Sequence, residues 1–233
     1  MNEEEVLHHV WISLGPLEVT GSVLFSWLIM AVLTGVSWLA TRGLRQDSGL
    51  LQSMAEIVVV ALEEAIQVVI PNHGLMVLPF VGTLWIFVVV ANITGLVPGL
   101  DSPTADLSVT AAIAVLVFLS VHWYGIKATG LKSYLAHYLA PNPILLPFHI
   151  IGEITRTMAL ALRLFGNIMS MELAALLMLT VAGLLAPIPI LMLHIVEALV
   201  QAYIFGMLAL VYIGGGMGST VEKWEDTSHR ENP

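Results

Sequence analysis

The chain is built from long apolar stretches separated by short polar connections. Ser22 to Ala40 is 19 residues without a charge, and Gly74 to Leu100 is 27. A bilayer core of about 30 Å takes ~20 helical residues, so each reads as a membrane span. Leu107 to Ile126 and Ile190 to Ile213 read the same way. Ile144 to about Gly183 is hydrophobic too, but at ~1.5 Å per residue its helix is about 55–60 Å long and must be tilted or start outside the hydrocarbon. Leu50 to Ile70 differs, because Glu56, Glu63 and Glu64 recur among Ile, Val and Leu. That pattern suits a helix lying on the membrane surface. Pro71-Asn72, the Pro98–Asp106 stretch, Pro141-Asn-Pro143 and Pro187-Ile-Pro189 punctuate the pattern.

The expected architecture is an all-α integral membrane protein with five transmembrane helices and one amphipathic surface helix, ending in a long tilted hairpin. The spans fall at about 22–40, 75–98, 107–126, 147–183 and 190–213, with the surface helix at about 50–70. Residues 1–217 form one membrane domain, and 218–233 a polar tail. Arg42 and Arg45 follow span one, and Lys127 and Lys132 follow span three. Positive charge favours the cytoplasmic side, so both connections belong there. The acidic N-terminus and the Asp101–Asp106 loop then lie outside and the tail inside. Met1-Asn-Glu-Glu-Glu5 is acidic where a secretory leader is basic, so insertion is expected to be directed by the first span.

Composition narrows the function classes. Of 233 residues, 58% are hydrophobic and only 11% charged, with mean hydropathy +0.89. That excludes an ordinary soluble domain, a disordered chain and a nucleic-acid binder. The net charge of −9 comes mostly from tails and connections. With no cysteine, disulfides, thiolate nucleophiles and zinc–cysteine sites are excluded. No phosphate-binding glycine loop, hydrolase motif or internal repeat appears, and no metal or other cofactor is implied. Gly214-Gly-Gly216 follows a membrane helix and does not read as a nucleotide site.

The chemistry is concentrated between Ile144 and Tyr212, where Glu153, Arg156, Arg163, Glu172 and Glu197 are joined by His149 and His194. A charge at the bilayer centre costs at least ~2.5 kcal/mol, so such residues face a partner or a water-filled path by default. Arg163 does not deprotonate, so it acts as a fixed positive charge rather than a proton carrier. Helical turning places Arg156 and Arg163 on one face, with Asn167 and Ser170 near it. Glu172 lies nine residues on, about half a turn round and ~13–14 Å along the axis. In the last span His194, Glu197 and Gln201 share a face by their i, i+3, i+7 spacing. A turn near Gly183 brings Glu172 level with His194, and Arg163 near Gln201. Two carboxylates and a histidine so grouped suit a proton relay. A static hydrogen-bonded cluster is the blander possibility.

Other features are less pointed. Ala198, Ala202 and Gly206 form a small-residue ridge that suits close helix packing, chiefly within the chain. Asn92 and Thr94 line a polar route or satisfy each other. His122 marks the cytoplasmic end of span three, and His8, His9 and His229 lie in the tails.

Several strings carry a resemblance. Ala161-Leu-Arg-Leu-Phe-Gly-Asn167, Met171-Glu-Leu173, Pro187-Ile-Pro189 and Gln201-Ala-Tyr-Ile-Phe205 resemble subunit a of the F-type ATP synthase membrane sector. Asn92-Ile-Thr-Gly-Leu-Val-Pro98 and Asp106-Leu-Ser-Val-Thr110 are similar too, so the likeness covers about residues 20–217. It implies a bacterial inner-membrane stator subunit beside a rotating c-subunit ring, held by the b-subunit peripheral stalk. Such a subunit conducts protons through two offset half-channels, coupling ion flow to ATP synthesis or hydrolysis. It catalyses nothing itself and binds no nucleotide. Arg163 matches the arginine that faces the ring carboxylates, and Asn167 the residue one turn later. Glu172 and His194 match polar positions of the outer half-channel, and Gln201 the glutamine near the arginine; Glu197 joins them by its spacing. Glu153, Arg156, Ser170 and Asn92 are accessory candidates. Glu153-Ile-Thr-Arg-Thr-Met158 departs from the Lys-Pro sequence many members carry, as in a divergent branch. Sodium therefore stands beside the proton as coupling ion. Without the resemblance, a secondary transporter with a midplane arginine for an anionic substrate is the rival, although transporters often show paired repeats.

Overall fold

The structure is a computed structural model that describes residues 10–14, 17–42, 50–71, 73–96, 102–132, 134, 146–183 and 186–218. Arg45, Asp101, Pro141, Pro143, His8, His9, His229 and most of the C-terminal tail lie outside the described residues. Helix α1 runs Gly21–Thr41, α2 Leu50–Val69, α3 Gly74–Thr94, α4 Leu107–Thr129, α5 Leu146–Ala182 and α6 Ile188–Gly216. A short 3-10 turn, Pro103–Ala105, precedes α4. Five helices, all but α2, are long and apolar enough to cross a membrane. The spans are therefore all-α, as the hydrophobic pattern requires.

Several boundaries differ from expectation. The second-span helix ends at Thr94, four residues short of 98, whereas the third-span helix continues to Thr129 and the last helix to Gly216, each three residues further. The first extension adds Lys127-Ala-Thr129 beyond the charge-free run, and the second adds three glycines, which are weak helix formers. The polar-to-mixed stretch before α1 holds two short antiparallel strands, β1 (Val10–Leu14) and β2 (Leu17–Thr20). The strand sequences VWISL and LEVT contain β-favouring residues and flank Gly15-Pro16.

The described residues fall into two compact units. Unit 1 is drawn from Met1–Arg45, Trp85–Ala112 and Ala161–Tyr203, and unit 2 from Gln46–Leu84, Ile113–Leu160 and Ile204–Pro233. In unit 1 the buried core includes Ala161, Leu164 and Ile168 on α5 and Ala198 and Ala202 on α6. In unit 2 it includes Ile66, Val77, Val81, Val117, Val121, Ala209, Leu210 and Ile213. The small-residue ridge is internal, since Ala198, Ala202 and Gly206 are all buried.

Helix α5 stops where Gly183 enters the left-handed region at φ 83°, its N–H bonding the Leu179 carbonyl at 3.2 Å. Glycine does this without the Cβ clash that opposes other residues. Helix α6 then starts with Pro189 in its first turn, where a missing N–H costs nothing. On α2, Gln52 and Gln67 donate to Glu56 and Glu63 at 2.7 and 2.9 Å. Met54, Ile57, Val58, Val59, Val60 and Val68 are left exposed along it.

Candidate functional site

Most of the singled-out residues belong to unit 1. Arg163 sits on the exposed side of α5, between exposed Leu162 and buried Leu164. Among the described residues its guanidinium has no ion-pair partner. One turn later Asn167 Nδ2 donates to Gln201 Oε1 at 2.8 Å. This bond fixes the antiparallel register of the hairpin within the unit. Gln201 thus meets Asn167, one helical turn along α5 from Arg163.

Unit 1 also holds buried polar groups. Asn92 is 0% exposed, His194 1% and Gln201 2%. Asn92 Nδ2 donates to the Ala198 carbonyl at 3.2 Å, so α3 is tied to α6 as well. Thr94 donates instead to Val90 O at 2.7 Å, so Asn92 and Thr94 do not satisfy each other. Asn92 Oδ1, His194 Nε2 and Gln201 Nε2 are buried with no hydrogen-bond partner among the described residues. Buried polar atoms are nearly always paired, and a polar site of this kind is one that ordered water satisfies.

Glu172 points to a different neighbour. Its Oε1 lies 3.0 Å from where a Cβ on Gly95 would sit, and Ser102 Cβ only 2.8 Å from that point. The missing side chain of Gly95 makes room for the carboxylate beside Ser102. Ser102 Oγ lies 3.1 Å from Ala91 O and 2.8 Å from Thr104 Oγ1. Glu172 is half-buried, as is Glu197, while Ser170 is exposed and bonds the Gly166 carbonyl of its own helix.

Sequence reasoning missed Gly95, Ser102 and Thr104 as neighbours of this site. Their signal was weak: small polar residues in a loop bounded by prolines look like any turn. Only the packing of that turn against α3 and α5 shows their depth.

Glu153 and Arg156 belong to unit 2. Glu153 Oε2 lies 3.2 Å from His122 Nε2 on α4. Arg156, exposed, sets its guanidinium 5.6 Å from the Tyr212 ring centre, a cation–π distance. The Arg156–Tyr212 and Asn167–Gln201 contacts have the same antiparallel register, so each unit pairs α5 with α6 alike. Arg156 and Arg163, seven residues apart on α5, are both exposed, as their shared face implied. Glu153, Arg156 and His149 all line a cavity of about 500 Å³. No group of three or more His, Asp or Glu suited to hold a metal occurs among the described residues.

These features define a class first: a multi-pass, all-helical membrane protein with ionisable groups set into its last two spans. The sequence model of the family described as ATP synthase A chain matches residues 23–214. ATP synthase subunit a 1 of Hahella chejuensis is 59% identical over 95% of this chain and 94% of its own. ATP synthase subunit a 2 of Pelobacter propionicus is 61% identical over 88% of this chain and 90% of its own. ATP synthase subunit a of Legionella pneumophila is 55% identical over 93% and 95%. The chain belongs to the ATP synthase A chain family.

Proposed function

We propose that this chain is the stator ion-conducting subunit of a rotary ATP synthase. It passes protons through two offset half-channels to and from the carboxylates of a c-subunit ring, and so couples ion flow to ATP synthesis or hydrolysis. It works as one membrane domain, 1–217, with the N-terminus outside and the tail in the cytoplasm of a bacterial inner membrane. The b-subunit peripheral stalk holds it against ring rotation. The subunit itself performs no catalysis and binds no nucleotide.

The observation that carries this reading is Arg163, exposed on an apolar helix face with no ion-pair partner among the described residues. A permanent cation on such a face at membrane depth is costly until an anion from outside the chain meets it. A carboxylate presented by a ring subunit supplies that anion and exchanges its proton there. Arg163 then keeps the two half-channels apart electrostatically, because its fixed positive charge repels a proton crossing directly between them while it attracts an ionised ring carboxylate. Asn167 and Gln201 hold the helix that carries it. Glu172, His194 and Glu197, with Asn92 behind them, line the outer half-channel, where the buried unpaired polar atoms suit bound water. The test is ATP-driven pumping by the purified complex in vesicles, with and without sodium. Uptake that is abolished by a protonophore and indifferent to sodium supports proton coupling. Sodium-dependent pumping that survives the protonophore supports the same role with sodium.

A further inference from the structure

Unit 2 contains a polar arrangement that the rotary reading does not by itself require. On α4, His122 Nδ1 lies 2.9 Å from the Phe118 carbonyl, and its Nε2 lies 3.2 Å from Glu153 Oε2 on α5. The Phe118 ring lies tilted beside the imidazole at 4.5 Å between ring centres, and the Tyr134 ring lies edge-on to it at 6.1 Å. Its proton positions follow from the partners. A carbonyl oxygen only accepts, so Nδ1 carries a hydrogen. The approach of Nε2 to the carboxylate is then favourable in two forms only: imidazolium beside carboxylate, or neutral imidazole accepting from the carboxylic acid. Each contains one proton between the two residues. Without it, the Nε2 lone pair faces an ionised carboxylate and the contact is repulsive.

We propose that His122 and Glu153 form a proton-exchange site of the unit 2 cavity, loading and releasing one proton as a unit. The proposal rests on the rotary reading above. The proton goes to and comes from water in the cavity; no bond other than N–H or O–H is made or broken. Glu153 lines the cavity of about 500 Å³, so the site meets its solvent directly. Release changes the pair's net charge from zero to −1. Among the described residues, the charged and titratable groups around it include Arg156 and His149 on the helix of Glu153, Tyr134 beside His122, and Tyr212 beside Arg156. Arg156 lies one helical turn from Glu153, fixed over Tyr212, and offsets the negative charge left by release. That gives Arg156 a positioning role distinct from that of Arg163. By the arrangement of Lys and Arg in the connections, the cavity belongs to the cytoplasmic half of the protein.

The test uses the whole ATP synthase in vesicles, with ATP-driven proton uptake followed as cytoplasmic-side pH is varied. His122→Gln and Glu153→Gln are each expected to slow uptake by roughly tenfold, less than the ~100-fold or more lost with a positioned acid–base group, since cavity water still exchanges protons. Both are expected to flatten its dependence on cytoplasmic-side pH, and the double variant is expected to be no slower than either single one. Full rate with an unchanged pH profile in either variant overturns the proposal. So does a slower rate whose profile keeps its wild-type shape, because that marks a structural role. If Glu153→Gln does not assemble, Glu153→Asp decides: a displaced pH profile supports the site, and an undisplaced one overturns it. Sodium-driven pumping indifferent to a protonophore also overturns it. Arg163→Lys separates the two readings. If it pumps normally, the rotary reading itself fails; if it is silent while both pair variants behave as wild type, only the proton-exchange site fails.

Discussion

The two units solve the problem of polar groups at membrane depth in opposite ways. In unit 1 the polar side chains of Asn92, His194 and Gln201 are almost fully buried, while the permanent cation, Arg163, is exposed. In unit 2 the pair His122–Glu153 is only partly buried, Glu153 lines a cavity, and the nearby cation, Arg156, rests on an aromatic face. Neutral amides lose little on burial when hydrogen-bonded, whereas an ion needs water or a counter-ion. The first unit thus leaves its cation open on the surface of the chain, and the second sets its cation against an aromatic ring. The same helix pair, α5 and α6, does both.

The largest expected effect comes from exchanging the two arginines for lysine. Arg163→Lys should abolish coupled pumping, because an ammonium can lose its proton when desolvated and lacks the guanidinium's fork of donors. Arg156→Lys should keep most of it, since Tyr212 also attracts an ammonium. ATP-driven uptake in vesicles measures both, and equal losses would erase the contrast between the units.

Gly95→Ala comes next. The new Cβ would fall 2.8 Å from Ser102 Cβ and 3.0 Å from Glu172 Oε1, so the carboxylate or the loop must move. Pumping should fall several-fold with normal assembly. A wild-type rate would mean that the position of Glu172 is unimportant to conduction.

Accessibility sharpens the comparison further. Single cysteines replacing Glu172, His194 and Glu197 should react with silver ions from the outer side, and cysteine at exposed, lipid-facing Leu199 should not. If the three are inert from both sides while Asn167→Cys reacts from outside, the outer path runs elsewhere.

Gln201→Leu tests the buried amides at smaller scale. It removes the 2.8 Å bond and leaves Asn167 Nδ2 without its acceptor. Thermal unfolding of the complex in detergent should register a loss of about 1–3 kcal/mol. Tyr212→Leu should show the least, about 0.5–1 kcal/mol, by removing the aromatic face under an exposed Arg156.

The sequence by itself determined the spans, the surface helix and the charged face of α5. Those depend on local quantities: runs of apolar residues long enough to cross a bilayer, and a helical repeat of ~3.6 residues. It also determined the turn at Gly183, where the left-handed backbone requires little but glycine. The motif around Arg163 and Asn167 was legible for the same reason, being contiguous. What depended on approach between distant segments was decided only by the tertiary structure. Asn92 bonding the Ala198 carbonyl, Glu172 settling against Gly95 and Ser102, and His122 meeting Glu153 each join residues at least 31 positions apart. Periodicity places a side chain on a face but does not say which helix covers that face. The bond between Gln201 and Asn167 follows from the same fact: close packing of two helices, not the count of residues from a turn, sets which side chains meet.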